Sequence, residues 1–362
     1  MPRPIRIGIT HGDFNGIGYE VILKALSDES IVELCTPVIF GSSELALQTR
    51  RNLGIEGFHF VPIKRSDDIR DGQINIIDVC DHPQNLTPGH PSPEAGKAAV
   101  DALLAASEAL ENNEIDAVVT APINKKTAYS EDFPFPGHTE FFANRFGSEG
   151  KELMILFSDM MRVGLVTTHL SLRDIPERIT RERVASTIRR MDAALRCDFG
   201  FERPKIAVLS LNPHNGDNGL LGSEEQTEIS PAIEDCVKEG ILAFGPYAAD
   251  GFFGNATYRQ FDGIVAMYHD QGLAPFKALA REYGVNYTAG LPIVRTSPDH
   301  GSGYDIAGRG IADPVSMRES IYRAIDIYRN RERHAEATAD PLRPIQERTQ
   351  KGSQRAEQSK PE

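Results

Sequence analysis

Three histidines far apart in the chain share one setting: His169 in TTHLSL, His214 in SLNPHNG and His269 in AMYHDQG each follow an apolar run with the composition of a buried strand. Neutral imidazole ligates borderline divalent ions, and strands of one sheet can deliver their ends to one cleft. Three such histidines therefore suit the three protein positions around an ion that keeps one coordination site open. Any one of them alone reads as an ordinary hydrogen-bonded or surface histidine; the repeated setting is what points to a metal-using enzyme. Zn²⁺, Co²⁺, Mg²⁺ and Mn²⁺ all stay open, because affinity order and cellular supply both intervene in the choice. Asp250 and Asp270 are acids able to orient a ligand ring from behind, or equally strand-end turns or caps.

A second set suits an anion. Lys277, Asn286 and Arg295 fall within HDQGLAPFKALAREYGVNYTAGLPIVRTS, where a lysine beside Pro275 and Phe276 is expected to be partly desolvated and an arginine fork can clamp an oxyanion. PINKK and FPGHTEFFANRF bring Lys125, Lys126, His138 and Thr139 to a helix start, where backbone donors favour phosphate or carboxylate; simple capping by Thr139 is the alternative. From Gly290 to Pro314, glycines and turn formers let backbone N–H groups approach a ligand, and Asp299, Gly301, Asp305 and Gly308 are the candidate dinucleotide contacts. By contrast, Gly12, Gly16 and Gly18 in ITHGDFNGIGYEV lack the spacing of the dinucleotide fingerprint and read as a tight turn lining a cleft.

Elements able to position these residues follow from the alternation of short apolar runs with helical stretches, which argues for an α/β fold of strands joined by crossover helices. The runs IRIGIT, TPVIF, INIIDV and DAVVT form a first α/β lobe; LMILF, RVGLVTT, KIAVLSL, GIVAMY and Val285 to Thr288 supply a second. Long helices are expected over SPEAGKAAVDALLAASEALENN, from about Arg181 to Arg196 and Glu224 to Glu239, and as a closing helix from about Pro314 to Arg331. The expected division is 1–125 plus 295–331 for the first lobe, 126–294 for the second, and a polar, disordered tail over 332–362.

At 362 residues and 40% hydrophobic content the chain has material for two domains with a sizeable core. A net charge of -13 works against nucleic-acid binding. No apolar run approaches the roughly 20 residues of a membrane helix, and no signal peptide is visible, so a cytoplasmic location is expected. Cys35, Cys80, Cys197 and Cys236 form no C-x-x-C pair and read as reduced packing residues.

Read together, GDFNGIGYE, PINK, GHTE, TTHLSLRDIP, LNPHNG, AMYHDQGL and RTSPDHGSGYDIAGRG resemble, in order, the motifs of the 4-hydroxythreonine-4-phosphate dehydrogenase family of pyridoxal phosphate biosynthesis, from Ile5 to about Tyr328. The resemblance implies a two-lobed isocitrate/isopropylmalate dehydrogenase-like fold with a cleft between the lobes. It also implies His169, His214 and His269 as metal ligands, and His138, Thr139, Lys277, Asn286 and Arg295 as substrate contacts. NAD or NADP would be the cofactor, and a homodimer would have both subunits contributing metal ligands to a site at their interface. The chain departs from the family pattern at Phe14, Asn15 and Tyr19, where GDPAGIGPE is usual, and at Ser302, Gly303 and Tyr304, where Thr-Ala-Phe is usual.

The implied substrate is a small phosphorylated hydroxy acid, 4-phosphooxy-L-threonine or a four-carbon phosphosugar acid such as 4-phosphoerythronate. Lys277 and Asp250 are the candidate proton acceptors. A metal-dependent lyase or hydrolase would use the histidines without the 299–310 loop; a non-catalytic nucleotide-binding protein would use the loop and leave the histidines idle.

Overall fold

The computed structural model describes residues 3–340 except 29, 57, 81–84, 132 and 149. Its spine is a 12-stranded sheet made from β1 (Arg6–Thr10), β2 (Thr36–Gly41), β3 (Val61–Ile63), β4 (Asn75–Asp78), β5 (Ala117–Thr120), β6 (Leu153–Phe157), β7 (Arg162–Leu165), β8 (Lys205–Leu209), β9 (Leu242–Tyr247), β10 (Gly263–Ala266), β11 (Val285–Ala289) and β12 (Val294–Pro298). The order across the sheet is β3-β4-β2-β1-β5-β12-β11-β6-β7-β10-β8-β9.

Two parallel blocks flank an antiparallel seam. On one side β3, β4, β2, β1, β5 and β12 are parallel; on the other, β7, β10, β8 and β9 are parallel; β12–β11, β11–β6 and β6–β7 are antiparallel. Three reversals mean that the blocks run in opposite directions. Each of the parallel blocks is built from nearly continuous apolar runs, as strands covered on both faces require.

Helices cover the faces: α1 (Gly18–Ala25), α2 (Ile31–Leu34), α3 (Ser43–Leu53), α4 (Pro93–Glu111), α5 (Lys125–Ala128), α6 (His138–Arg145), α7 (Arg181–Cys197), α8 (Ser230–Lys238), α9 (Ala249–Gly254), α10 (His269–Ala280) and α11 (Val315–Ala339). Their starts are legible in side-chain chemistry. Ser92 Oγ accepts from Ala95 N with Pro93 in the first turn of α4, and Thr180 caps α7 through Arg183 N. Alanines of α4, among them Ala95, Ala98, Ala102 and Ala106, are buried and let the helix lie close on the sheet.

The strand runs read from sequence all fall on strands, but β3, β9 and β12 are not among those runs. β3 is three residues long and holds Pro62, and β9 is interrupted by Gly245 and Pro246. The helix expected from Glu224 to Glu239 opens with a π-helical turn over Glu225–Ile229 before α8. The closing helix is longer than expected: α11 runs through Ala339, so 332–339 is helix rather than disordered tail. That stretch is polar yet rich in Ala, Glu and Arg, which are strong helix formers. Positions 341–362 lie outside the described residues. Cys35 and Cys236 are buried among core residues.

Candidate active site

At the seam, strand alternation puts one set of side chains on one face. Asn286 of β11 pairs with Ser297 of β12, Thr288 of β11 pairs with Met154 of β6, and Arg295 lies two residues before Ser297, so all five share a side of the pleat. Asn286, Met154, Arg295 and Ser297 line a cavity of about 260 Å³. The start of α6 closes it with His138, Thr139 and Glu140, and Lys125, His169 and His300 add to the wall. Thr139 is not the cap of α6: the helix begins at His138 after an extended Gly137, leaving Thr139 in the first turn with its hydroxyl at the cavity. First-turn N–H groups of a helix carry no intrahelical partner and favour an anion.

Arg295 dominates the electrostatics. It is 3% exposed, and its guanidinium is held by hydroxyls alone: Nη2 and Nε donate to Thr120 Oγ1 at 2.7 and 3.1 Å, and Nη1 donates to Thr288 Oγ1 at 3.2 Å. Among the described residues no carboxylate forms a salt bridge with it. Burial lowers its pKa to about 10, against a small opposing pull from Glu140. A buried cation with no contacting counter-ion is costly unless a ligand supplies the charge. Three further buried atoms in the wall have no partner: His138 Nε2, Asn286 Oδ1 and His300 Nε2. Burial, then Arg295 and Lys125, hold His138 well below its ordinary pKa, so it is a neutral imidazole. The cavity therefore presents the buried Arg295 guanidinium and the Lys125 ammonium, one carboxylate in Glu140, neutral donors or acceptors, and a helix start.

A second element of the site is built from strand ends. β7, β10 and β8 are parallel neighbours, so the segments carrying His169, His269 and His214 leave the sheet at the same edge. Side chains stitch those exits together: Thr167 Oγ1 donates to Met267 O at 2.7 Å, while Gln271 accepts from Met267 N at 2.7 Å and donates to Ser210 O at 2.6 Å. His169 and His269 then lie with ring centroids 6.1 Å apart. Partial burial, followed by Lys125 and His269, lowers the pKa of His169 and favours its neutral, ligating form. His269 Nδ1 is 2.7 Å from Asp270 Oδ1, the outer carboxylate contact typical of a ligating histidine.

His214 stands apart. It is exposed in Pro213–Gly219, where His214, Asn215, Asp217 and Asn218 all have positive φ of 44–57°, a run of non-glycine residues in the left-handed region. Such strain persists only where surroundings hold it. Glu225, buried beneath, does so by accepting from Leu211 N and Asn212 N at 2.8 and 2.7 Å. Among the described residues no three His, Cys, Asp or Glu side chains gather as a ready metal site.

Other expected residues are dispersed. Lys277 on α10 is exposed rather than desolvated, and its ammonium pairs with Asp299 Oδ1 at 2.9 Å, so one expected substrate contact and one expected cofactor contact hold each other. The flanking Phe276 and Ala280 turn into the core while Lys277 points out, a distinction set by helix phase rather than by neighbours in sequence. Asp250 is exposed on α9. Gly301 borders the seam cavity, Gly308 borders a narrower apolar slot of about 70 Å³ with Phe14, Tyr19 and Leu53, and Asp305 is exposed. Sequence reading passed over His300, Thr120 and Thr288; the first sits in the glycine-rich motif and had a signal there, whereas the strand threonines had none.

The chain's own pattern now meets that of known proteins. The model of the family described as pyridoxal phosphate biosynthetic protein PdxA matches residues 33–324. The chain belongs to that family. It is an enzyme, an oxidoreductase of the 4-hydroxythreonine-4-phosphate dehydrogenase group. A protein of that name from Bacteroides thetaiotaomicron is 52% identical over 339 residues, 94% of this chain and 93% of its own length. A putative D-threonate 4-phosphate dehydrogenase from Oceanobacillus iheyensis is 41% identical, covering 90% of this chain and 98% of its own. The solved 4-hydroxythreonine-4-phosphate dehydrogenase of Klebsiella pneumoniae superimposes with a TM-score of 0.77 at 36% identity, over 90% of this chain and 98% of that one. The family thus shares the α/β sheet described above along nearly its whole length. Among the described residues no helix is long and apolar enough to cross a membrane.

Proposed function

We propose that the chain oxidises the secondary hydroxyl of 4-phosphooxy-L-threonine with NAD⁺ or NADP⁺, NAD⁺ being preferred, giving a β-keto acid that loses CO₂ to leave 3-amino-2-oxopropyl phosphate. The observation that carries this reading is Arg295: a buried guanidinium held only by hydroxyls, in a cavity of a size for a small phosphorylated acid. Arg295 and the first turn of α6 at His138 and Thr139 bind anionic groups of the substrate, and Asn286 orients it through the unpartnered Oδ1. His138, neutral by burial, hydrogen-bonds without adding charge.

His169 and His269, with His214, are the proposed holders of a divalent ion (Zn, Co, Mg or Mn). The first two suit it by their proximity, and His169 also by its lowered pKa. When bound, such an ion supplies Lewis acidity at the substrate oxygen, which eases loss of the hydroxyl proton and stabilises an enolate. Because His214 stands on a strained exposed turn, we propose that the set is completed across a homodimer, one subunit lending His214 to the other. The loop containing Asp299, Gly301, Asp305 and Gly308 holds the dinucleotide, whose nicotinamide accepts the hydride. Lys277 and Asp250 remain the two proton acceptors proposed; Lys277 must first leave its pairing with Asp299.

A four-carbon phosphosugar acid is the second reading, favoured by the Oceanobacillus relative named for D-threonate 4-phosphate. Both substrates carry phosphate, carboxylate and a secondary hydroxyl, so Arg295 serves either. Following NAD⁺ reduction with 4-phosphooxy-L-threonine, D-threonate 4-phosphate and 4-phosphoerythronate, each with and without chelator, decides between them. Chelator-sensitive turnover of the amino acid is expected; turnover of the sugar acids alone would move the chain to the second reading, and no nicotinamide reduction with any of them would sink both.

A further inference from the structure

The 299–310 loop is clasped to the first loop of the chain. Ile17 N donates to Ser302 O at 2.9 Å, and Gly16 permits that approach, since a Cβ there would lie 2.5 Å from the same oxygen. Further on, Lys24 Nζ donates to Gly310 O and Ala312 O, each at 2.9 Å, and Glu20 Oε1 accepts from Ala312 N at 2.8 Å. These contacts use backbone on the loop side, and other residues could stand there. One contact is different.

Tyr304 Oη donates to Asp13 Oδ2 at 2.7 Å and accepts from Asn124 Nδ2 at 3.0 Å. Asp13 is 1% exposed and anchored on both sides: its Oδ1 accepts from Asn15 N at 2.9 Å and its N–H donates to Pro122 O at 2.9 Å. Asn124 caps α5 through Lys126 N, and its neighbours Pro122, Ile123 and Lys125 line the seam cavity. One phenolic hydroxyl thus joins three segments: the first glycine turn, the wall of the substrate cavity, and the loop proposed to hold the dinucleotide. A hydrogen bond to a buried carboxylate is of the stronger, charge-assisted kind, and losing it strands the acceptor away from water.

We propose that Tyr304 is a positioning residue for the dinucleotide: its hydroxyl locks the 299–310 loop to the cavity wall, so that cofactor affinity depends on it far more than substrate affinity, the loop touching the substrate cavity through His300 and Gly301 at its start. This rests on the assignment of that loop to the cofactor. Tyr304→Phe keeps the ring and removes only the tether; Asp13→Ala removes the same tether from the other end.

The test is titration calorimetry of NAD⁺ alone, with steady-state KM for each substrate and hydrogen exchange over 299–310. In both variants the NAD⁺ Kd and KM should rise roughly tenfold, the size of one such bond, with faster exchange confined to the loop and the KM for the phosphorylated substrate within about twofold of wild type. An unchanged NAD⁺ Kd in Tyr304→Phe overturns the tether. So does an equal rise in both KM values, which would mark a general structural defect. Wild-type protein that binds no NAD⁺ while folded overturns the cofactor assignment itself, a different outcome from either.

Discussion

The cavity at the seam and the histidine edge beyond β7, β10 and β8 are made by the same sheet, yet one gathers its side chains closely and the other leaves one of its three histidines apart. At the seam, Arg295 is held by Thr120 and Thr288, hydroxyls from two different strands whose places follow from antiparallel and parallel register. At the edge, His169 and His269 approach each other, but His214 sits exposed on a left-handed turn. Backbone ladders fix residues within strands to a fraction of an ångström; residues several positions past a strand end depend on what packs over the loop. A site that needs fixed geometry is therefore best built into strands.

Breaking the seam should cost most. Arg295→Met is expected to lower kcat/KM by roughly 100- to 1,000-fold, the range for truncating a buried charged partner, with little loss of thermal stability because an uncompensated buried charge leaves with it. A thermal midpoint that collapses in step with activity would mean that Arg295 is structural and that the cavity is not an anion site.

The histidine edge is probed by mixing. His169→Ala and His214→Ala proteins should each lose activity and retained metal; unfolded together and refolded as an equal mixture, they should regain about a quarter of wild-type activity if each site draws on two subunits, since half of the dimers are hybrids with one intact site. No recovery, with both variants folded, would place all three ligands within one chain and remove the contrast between the regions.

Acid should weaken the fold as a whole. His11, fully buried with its ring stacked on Tyr19 at 5.2 Å, has its pKa pushed down to about 4 by burial, and His138 is lowered for the same reason. Between about pH 6.5 and 4 the unfolded chain binds a proton at His11 that the folded chain refuses, so stability is complete above that window and falls as pH drops through it, and His138 acts in the same direction. For His11 the loss is on the order of 3 kcal/mol. Urea midpoints from pH 7.5 to 4.5 measure it, and His11→Phe should flatten the slope; an unchanged slope in that variant would show that His11 charges freely in the folded state.

Much of the site was readable as residue types. His138, Thr139, Asn286 and Arg295 meet at one cavity, and His169 joins them, because each sits at or near the end of a strand or helix. The misses share a cause. Thr120 and Thr288 look like any strand threonine until the pairing of β5, β12 and β11 turns them toward one guanidinium, and β9 has no apolar run because Gly245 and Pro246 interrupt it. Lys277 was expected to be desolvated from its neighbours in sequence, yet on a helix adjacent residues face different ways. The departures at Asn15 and Tyr304 looked independent and lie in one clasp: Asn15 N bonds to Asp13, which receives the Tyr304 hydroxyl.

Local patterning was enough to set the α/β class and the helix starts near Ser92 and Thr180, because burial periodicity and capping act over a few residues. Strand order is another matter. The antiparallel seam, the reversal between the two parallel blocks, and the enclosure of Arg295 by hydroxyls remote in the chain arise from pairings across long sequence separations, which no short window encodes and which only the folded sheet makes adjacent.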